Sequence, residues 1–574
     1  MISLNAIAQI TCYLFLVLCL ARPLGGYIGL VYQGQYTRFT KILRPIENGV
    51  YRLCKIDQQG MTWQQYAAAL LCLNVLGLVG VFCIQYFQGE LPLNPQHFTS
   101  PNVWVALNTA VSFVTNTNWQ AYAGESTLSN LTQMLALTSQ NFLSAGTGMA
   151  ILMVLIRSLS VSKGQDLGNY WVDMVRGVIY ILLPLSIILA LILASQGVIQ
   201  SLQPNRAVEN LQRLTHPDTV LLSSNLPMGP VASQIAIKQL GTNGGGFFNA
   251  NAAHPYENPT PLTNALELLA ILLIPAALVF AFGIMIQDRR QSYAILGVML
   301  ILLLPTAYFG VVAEQQGNPA LHALGIEGPN YEGKESRFGM VSSVLWSSAT
   351  TATANGSVNS MLDSYMPLGG LMPLWLMNLG EIVFGGVGSG LYGMLAMIII
   401  AVFIGGLMVG RSPEYLGKKI EPFDMKMASI AVLLMPLLVL LATAVALGTS
   451  LGRQALGNPG AHGLTEVLYG MTSMTANNGS AFSGLHADEP FYVIIGSFLM
   501  FIGRYGVAIP ILALSGALMK KQRVPPSLGT LSTSSPLFIG LLLLVIVTLG
   551  ALSFLPTLSL GPIVEHVMLW MPYG

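Results

Sequence analysis

Apolar residues fall into ten long runs divided by shorter polar connections. The runs lie near 4–30, 65–88, 132–157, 172–196, 260–286, 291–313, 373–409, 423–447, 489–519 and 535–556. A hydrocarbon core takes roughly 20 mostly apolar residues per helix, so every run is long enough to cross one. The first run has no positive stretch before it and is too long for a cleaved leader, which predicts a retained helix rather than a signal peptide. Four further apolar stretches, 102–114, 229–240, 338–352 and 463–475, are too short to cross. Segments of that length read as re-entrant.

Composition agrees with the pattern. Apolar residues make up 53% of the 574 residues and charged ones 9%, against about 25% charged in a soluble globular chain. The 25 Lys and Arg against 24 Asp and Glu leave no basic excess to attract nucleic acid. The five cysteines, Cys12, Cys19, Cys54, Cys72 and Cys83, mostly sit in apolar runs, so neither a disulfide framework nor a zinc site of cysteines is expected. The seven histidines never pair at metal-ligand spacing, and no organic cofactor is expected.

Basic residues set the orientation. Five alternate connections hold 16 of the 25: Arg38, Lys41, Arg44, Arg52 and Lys55; Arg157 and Lys163; Arg289 and Arg290; Arg411, Lys418, Lys419 and Lys426; Lys520, Lys521 and Arg523. The opposite connections hold six. The bias places the first set in the cytoplasm and both termini outside, with all four short stretches on the outer side.

Directly after each short stretch the chain turns small and polar. The strings are Thr115-Asn116-Thr117-Asn118-Trp119-Gln120, Thr242-Asn243-Gly244-Gly245-Gly246-Phe247, Ala354-Asn355-Gly356-Ser357 and Ala476-Asn477-Asn478-Gly479-Ser480. Aligning their asparagines sets Asn116, Asn243, Asn355 and Asn478 in register, 127, 112 and 123 residues apart, with Thr117 where the other loops carry glycine. Four units of helix, re-entrant helix, loop and helix, plus one span at each end, account for ten spans. An all-α polytopic membrane protein is therefore expected, with about ten transmembrane helices and four pseudo-repeats around a pore. The repeats are expected at 61–165, 166–288, 289–420 and 421–524, with an N-terminal span and cytoplasmic loop at 1–60 and a C-terminal span at 525–574.

Such loops suit cation dehydration. Irregular backbone at membrane depth is tolerated where it lines a protected, wetted path. Gly and Asn adopt φ > 0 readily, which lets successive carbonyls point at an axis and replace an ion's water. Each short helix would aim its negative C-terminal end at that ion. The loops hold no acid, which favours a monovalent cation, since divalent ions recruit carboxylates.

At these residues the chain resembles the potassium-binding A subunit of the Kdp-type potassium-transporting ATPase, within the superfamily of potassium transporters. The likeness runs over essentially the full length. It is carried by Val114 to Gln120, Gly241 to Pro255, Gly410 to Lys419 and Asn477 to Leu485. The resemblance implies a selectivity filter on the periplasmic side to which Asn116, Thr117, Asn118, Thr242, Asn243, Asn355, Gly356, Asn478 and Gly479 contribute, with Gln120 and Gly244 tuning affinity. It implies potassium as substrate, the bacterial cytoplasmic (inner) membrane as location, and as partners a P-type ATPase B subunit, a C subunit, a small accessory peptide and membrane lipid. Where some relatives carry Cys-Gly in the third loop this chain has Asn355-Gly356, and Asn355 is expected to act through its backbone.

No Gly-x4-Gly-Lys-Ser/Thr string and no Asp-Lys-Thr-Gly string occurs, and the longest cytoplasmic connection is about 34 residues. The chain alone is expected not to hydrolyse ATP. Ionisable residues inside spans are functional candidates: Glu381 lies before a glycine cluster with Gly385 and Gly386, and Arg504 lies mid-way along the ninth run. A buried pair between them would relieve both desolvation penalties, either orienting two helices or gating. The resemblance ties the break in the third repeat, with Arg411 and Arg504, to gating the ion's route. Asp173 and Arg176 read as interfacial anchors, and Glu267 is open. The expected function is the potassium-binding and translocating subunit of an ATP-driven uptake pump. The alternative is a stand-alone potassium channel or ion-coupled transporter with the same pore; a membrane-embedded enzyme lacks any catalytic constellation.

Overall fold

A computed structural model describes residues 3–35, 37–164, 166–216, 219–408, 410, 412–525 and 531–571, with backbone only over 210–216 and 219–222. Among the described residues, ten helices are long and apolar enough to cross a membrane. In chain order the described helices used below are α1 (Leu4–Tyr32), α2 (Arg38–Leu53), α3 (Trp63–Tyr86) and α4 (Val103–Val114). Then follow α5 (Thr132–Ser160), α6 (Tyr170–Ser195), α7 (Val231–Leu240), α8 (Pro261–Met285) and α9 (Arg289–Gln315). The chain continues through α10 (Met340–Ala352), α11 (Pro367–Asn378), α12 (Ser389–Met408) and α13 (Pro422–Gly448). It ends with α14 (Gly460–Ala476), α15 (Pro490–Met519), α16 (Pro536–Leu558) and α17 (Val564–Trp570).

The four short helices are α4, α7, α10 and α14, of 12, 10, 13 and 17 residues. At 1.5 Å per residue they reach about 15–26 Å, less than a hydrocarbon core of about 30 Å. Each lies between two spans, so span, short helix, loop and span recur four times: α3–α5, α6–α8, α9–α12 and α13–α15. α1 and α16 are the added spans.

Burial sorts the spans. Every residue from Ala145 to Ile156 of α5 is buried, the mark of a helix enclosed on all sides. α3 and α16 instead expose Leu76, Val79, Leu544 and Leu552, apolar surface suited to lipid. α1 packs on α8 so closely that a methyl at Gly25 would fall 2.5 Å from the Ala277 carbonyl oxygen, the close approach that small residues permit.

Three features exceed the hydropathy pattern. α2 lies in the first basic connection, anchored to α6 by Glu47, which meets Arg176 Nε at 3.1 Å and Tyr180 Oη at 2.6 Å. Its Phe39, Ile42, Ile46 and Leu53 are exposed beside Arg38, Lys41 and Arg52, the composition of an interfacial helix. A hairpin of β1 (Arg206–His216) and β2 (Thr219–Leu226) precedes α7. The seventh crossing is broken: after α11, Gly380, Glu381, Phe384, Gly385 and Gly388 all have positive φ, between +51° and +93°, before α12 begins. Asp173 is buried, pairing with Arg157 at 2.5 Å and accepting from Tyr66 Oη at 3.0 Å, so it and Arg176 tie helices to one another.

Candidate functional site

Each short helix ends in the same backbone device. The amide N–H of Thr117, Asn243, Asn355 and Asn478 reaches the carbonyl five residues earlier, on Ser112, Lys238, Thr350 and Ser473, at 2.9, 2.8, 3.4 and 2.9 Å. The next residue has positive φ in all four loops: Asn118 at +52°, Gly244 at +80°, Gly356 at +77° and Gly479 at +99°. Thr117 therefore stands in line with Asn243, Asn355 and Asn478, and Asn118 takes the place of the glycines. This corrects the register drawn from the sequence, in which Asn116 was aligned with those asparagines. Asparagine can fill the glycine position because it tolerates the left-handed region.

The loops meet in cyclic order. A methyl at Gly244 would fall 1.6 Å from the Asn355 carbonyl oxygen, one at Gly356 2.1 Å from that of Asn478, and one at Gly479 2.1 Å from that of Thr117. Between the first and second loops, Asn116 Nδ2 donates to the Thr242 carbonyl at 2.8 Å and Asn118 Nδ2 to that of Gly244 at 3.2 Å. The chain thus brings Thr117, Asn118, Asn243, Gly244, Asn355, Gly356, Asn478 and Gly479 into one ring, buried except at the partly exposed Gly479.

Side chains brace the ring. Asn116 Oδ1 accepts from Asn243 Nδ2 at 2.6 Å and from Ser144 Oγ at 2.8 Å. Asn355 Oδ1 accepts from Ser357 N at 2.9 Å, and Asn478 Oδ1 from Ser480 N at 3.1 Å, so both side chains close their own turns. Thr242 Oγ1 accepts from Val387 N at 2.9 Å, and Gly385 N donates to the Ala352 carbonyl at 2.8 Å. Those contacts seat the broken segment, with Gly385 and Gly386, against the second and third loops. Gln120 grips the second loop through both ends of its amide: Nε2 donates to the Gly246 carbonyl at 3.0 Å, and Oε1 accepts from Gly246 N at 2.9 Å.

Cavities lie on either side. A vestibule of about 770 Å³ is lined by all four loops, including Asn118, Gln120, Gly245, Gly356 and Gly479. A smaller cavity of about 100 Å³ is bounded by Ala354, Glu381, Tyr392, Asn477 and Arg504.

Glu381 and Arg504 share that cavity but form no ion pair among the described residues, contrary to the pairing expected from the sequence. Glu381 Oε1 accepts from Asn478 Nδ2 at 2.8 Å, while Arg504 Nη2 donates to the Ser144 carbonyl at 3.1 Å. Each buried ionisable group thus has a neutral partner from the loops or from α5. Arg411 lies outside the described residues.

Sequence reasoning passed over the charges behind the second loop. Lys238, fully buried on α7, pairs with buried Glu257 at 2.5 Å and donates to the Gly245 carbonyl at 2.9 Å; Glu257 Oε1 accepts from Phe248 N at 2.8 Å. A lysine inside a ten-residue apolar helix was the available signal. Glu267 Oε2 accepts from Gln239 Nε2 at 3.0 Å, and Gln239 Oε1 accepts from Ser357 Oγ at 2.9 Å, so Glu267 supports the third loop from behind.

Residues 11–567 match the family described as Potassium-transporting ATPase A subunit. A potassium-transporting ATPase potassium-binding subunit of Methylococcus capsulatus is 52% identical over 98% of this chain and 99% of its own length. Its counterpart in Sorangium cellulosum is 54% identical over 97% of each. The crystal structure of the potassium transporter TrkH from Vibrio parahaemolyticus aligns over 85% of this chain and 96% of its own, at 14% identity and TM-score 0.48. Matched along nearly its whole length by both the family and these relatives, the chain belongs to the potassium-transporting ATPase A subunit family.

Proposed function

We infer that this chain is the potassium-binding and translocating subunit of a potassium-transporting ATPase, a multi-pass membrane protein whose cargo is potassium and whose ATP-hydrolysing chain is another subunit. The observation that carries the reading is the ring itself: four loops of one backbone plan, meeting in cyclic order through glycines pressed on carbonyl oxygens. Carbonyls held at an axis replace the hydration shell of a weakly hydrated cation.

The finer assignment follows from that ring. The carbonyls of Thr117, Asn243, Asn355 and Asn478 form one ligand layer, with Asn118, Gly244, Gly356 and Gly479 setting the next. Asn116, Thr242 and Gln120 hold the layers in place rather than ligate through their side chains. Potassium reaches the ring from the vestibule, on the periplasmic side of the bacterial inner membrane, with both termini on that side. The repeats run over 61–165, 166–288, 289–420 and 421–524, flanked by 1–60 and 525–574. Below the ring, the break at Gly385 and Gly386, Glu381 and the positive charge of Arg504 oppose straight-through flow. They divert the ion sideways to a P-type ATPase B subunit, assembled with a C subunit and a small accessory peptide.

Labelled potassium uptake into liposomes tests this. The chain alone is expected to be silent, and the assembled complex with ATP to accumulate potassium. Conduction by the chain alone would make the ring an autonomous channel and end the pump-subunit reading.

A further inference from the structure

Outside the ring, three segments bring acids around one histidine. Asp363 follows the third loop, His462 and Glu466 lie in the first turns of α14, and Glu565 lies in α17. His462 Nδ1 is 2.7 Å from Glu565 Oε1, and Nε2 is 2.9 Å from Asp363 Oδ1. One ligand atom from each of Asp363, His462 and Glu466 lies within 4.8 Å of the other two. Glu466 is fully buried. Its Oε1 accepts from Asn458 Nδ2 at 2.6 Å, whereas its Oε2 has no hydrogen-bond partner among the described residues. A buried carboxylate oxygen left without a partner is an unsatisfied acceptor, and a cation held between it and its two neighbours removes that penalty.

We propose that Asp363, His462 and Glu466 form a site for one divalent transition-metal ion of the zinc class. One imidazole nitrogen and two carboxylate oxygens match the N/O donor set and open fourth position of such ions. Calcium takes six to eight oxygens and magnesium a near-octahedral oxygen shell, so this donor set suits neither. Glu565 has the role of outer partner: accepting a hydrogen bond from Nδ1–H, it fixes the tautomer that turns the Nε2 lone pair to the ion. Binding replaces any proton on Nε2, which leaves to solvent. Asp363 is already oriented, because its Oδ2 accepts from Gly484 N at 2.9 Å, leaving Oδ1 beside the imidazole. The chain at Gly484 threads between both acids: a methyl there would fall 2.1 Å from Glu466 Oε1 and 2.9 Å from Asp363 Oδ2.

The ion is a staple, not cargo. It joins the segment leaving the third loop, the start of the helix that carries the fourth loop, and the C-terminal segment. Its loss loosens the seating of α14 and, through it, of Asn478 and Gly479.

The assembled complex, stripped with a chelator and desalted, is titrated with Zn²⁺ and then read for retained metal and thermal unfolding. One retained equivalent and a rise of several degrees in Tm are expected, with a large excess of Mg²⁺ giving neither. Glu466→Gln and His462→Gln are expected to lose both effects, and Glu565→Gln to weaken metal affinity about 10- to 100-fold. Should wild type retain no more zinc than Glu466→Gln, the proposal falls and the cluster is a histidine–carboxylate tether alone. If the variants do not assemble, zinc-edge X-ray absorption of the wild-type complex decides: one nitrogen with oxygens is expected, and sulfur ligation or an unbound spectrum overturns the site.

Discussion

Replacing Gly356 by alanine puts the carbonyl ring to its most direct test. The residue has φ of +77°, and the left-handed region costs an L-residue about 1–2 kcal/mol. The added methyl would stand 2.1 Å from the Asn478 carbonyl oxygen, more than 1 Å inside an ordinary carbon–oxygen contact of about 3.3 Å. Overpacking of that kind costs about 1–3 kcal/mol. The total, about 2–5 kcal/mol, has one route of relief. Asn355 and Asn478 are both tied by their own side chains, so the Asn478 carbonyl must move off the ring. If half of the strain is expressed as lost ion binding, about 1–2.5 kcal/mol, apparent potassium affinity falls about 5- to 60-fold at 1.4 kcal/mol per tenfold. Gly297, within α9, has nothing within 4 Å of a methyl. There the same change is expected to stabilise the helix by about 1 kcal/mol and leave transport alone. The assay is potassium-stimulated ATP hydrolysis and tracer uptake by the complex in liposomes, as a function of potassium concentration. Unchanged half-saturation and uptake in Gly356→Ala would refute the carbonyl ring.

Three further outcomes are expected. Gln120→Arg breaks the two-point grip on Gly246 and sets a positive charge at the vestibule wall, so half-saturation for potassium should rise about tenfold or more, a shift of about 1.4 kcal/mol, with the chain still inserted; unchanged affinity would remove Gln120 from the ion's route. Lys238→Met leaves Glu257 buried and unpaired, which costs about 3–5 kcal/mol. Thermal unfolding of the complex should show a lower Tm, substantially restored in Lys238→Met with Glu257→Gln; no drop in the single variant would mean the pair does not brace the second loop. Arg504→Gln removes the positive charge beneath the ring and should permit ATP-independent potassium leak from loaded liposomes, and a leak equal to wild type would deny Arg504 a barrier role.

The spans and the four short helices were legible because hydropathy is a local property and length alone separates crossing from re-entrant segments. α4 was expected at 102–114 and occupies Val103–Val114; α7 was expected at 229–240 and occupies Val231–Leu240. α2 escaped notice because its apolar residues recur at helical spacing without forming a continuous run. Register in the first loop was misread for a different reason: Asn116, Thr117 and Asn118 offer two asparagines, and only the bond from Thr117 N to the Ser112 carbonyl shows which one follows the aligned position. The expected Glu381–Arg504 pair failed because a buried polar group needs a hydrogen-bond partner, not specifically an opposite charge. An asparagine amide and a backbone carbonyl supplied it. Lys238 and Glu257, 19 residues apart, meet only because the second loop folds back between them, which no periodicity reports.

The four loops share a backbone plan but differ in electrostatics, and the difference is concentrated in the second. Its carbonyls at Thr242, Gly244, Gly245 and Gly246 accept hydrogen bonds from Asn116 Nδ2, Asn118 Nδ2, Lys238 Nζ and Gln120 Nε2, respectively. Three of those donors come from the first loop and the fourth from a buried ammonium. A carbonyl that already accepts from a donor presents a weaker field to an ion but is held more firmly, since each such bond must be broken for it to move. The carbonyls of Thr117, Asn355 and Asn478 instead lie against glycine, whose Cα–H is a feeble donor, and keep their field for the axis. The second loop is therefore the fixed wall of the ring, held at four carbonyls that flank its proposed ligand carbonyl, that of Asn243. Asn118 explains how the first loop can differ in sequence without opening the ring. A glycine there would satisfy the same φ but would forfeit the bond to Gly244, which joins those from Asn116 and Gln120 in coupling the first loop to the wall.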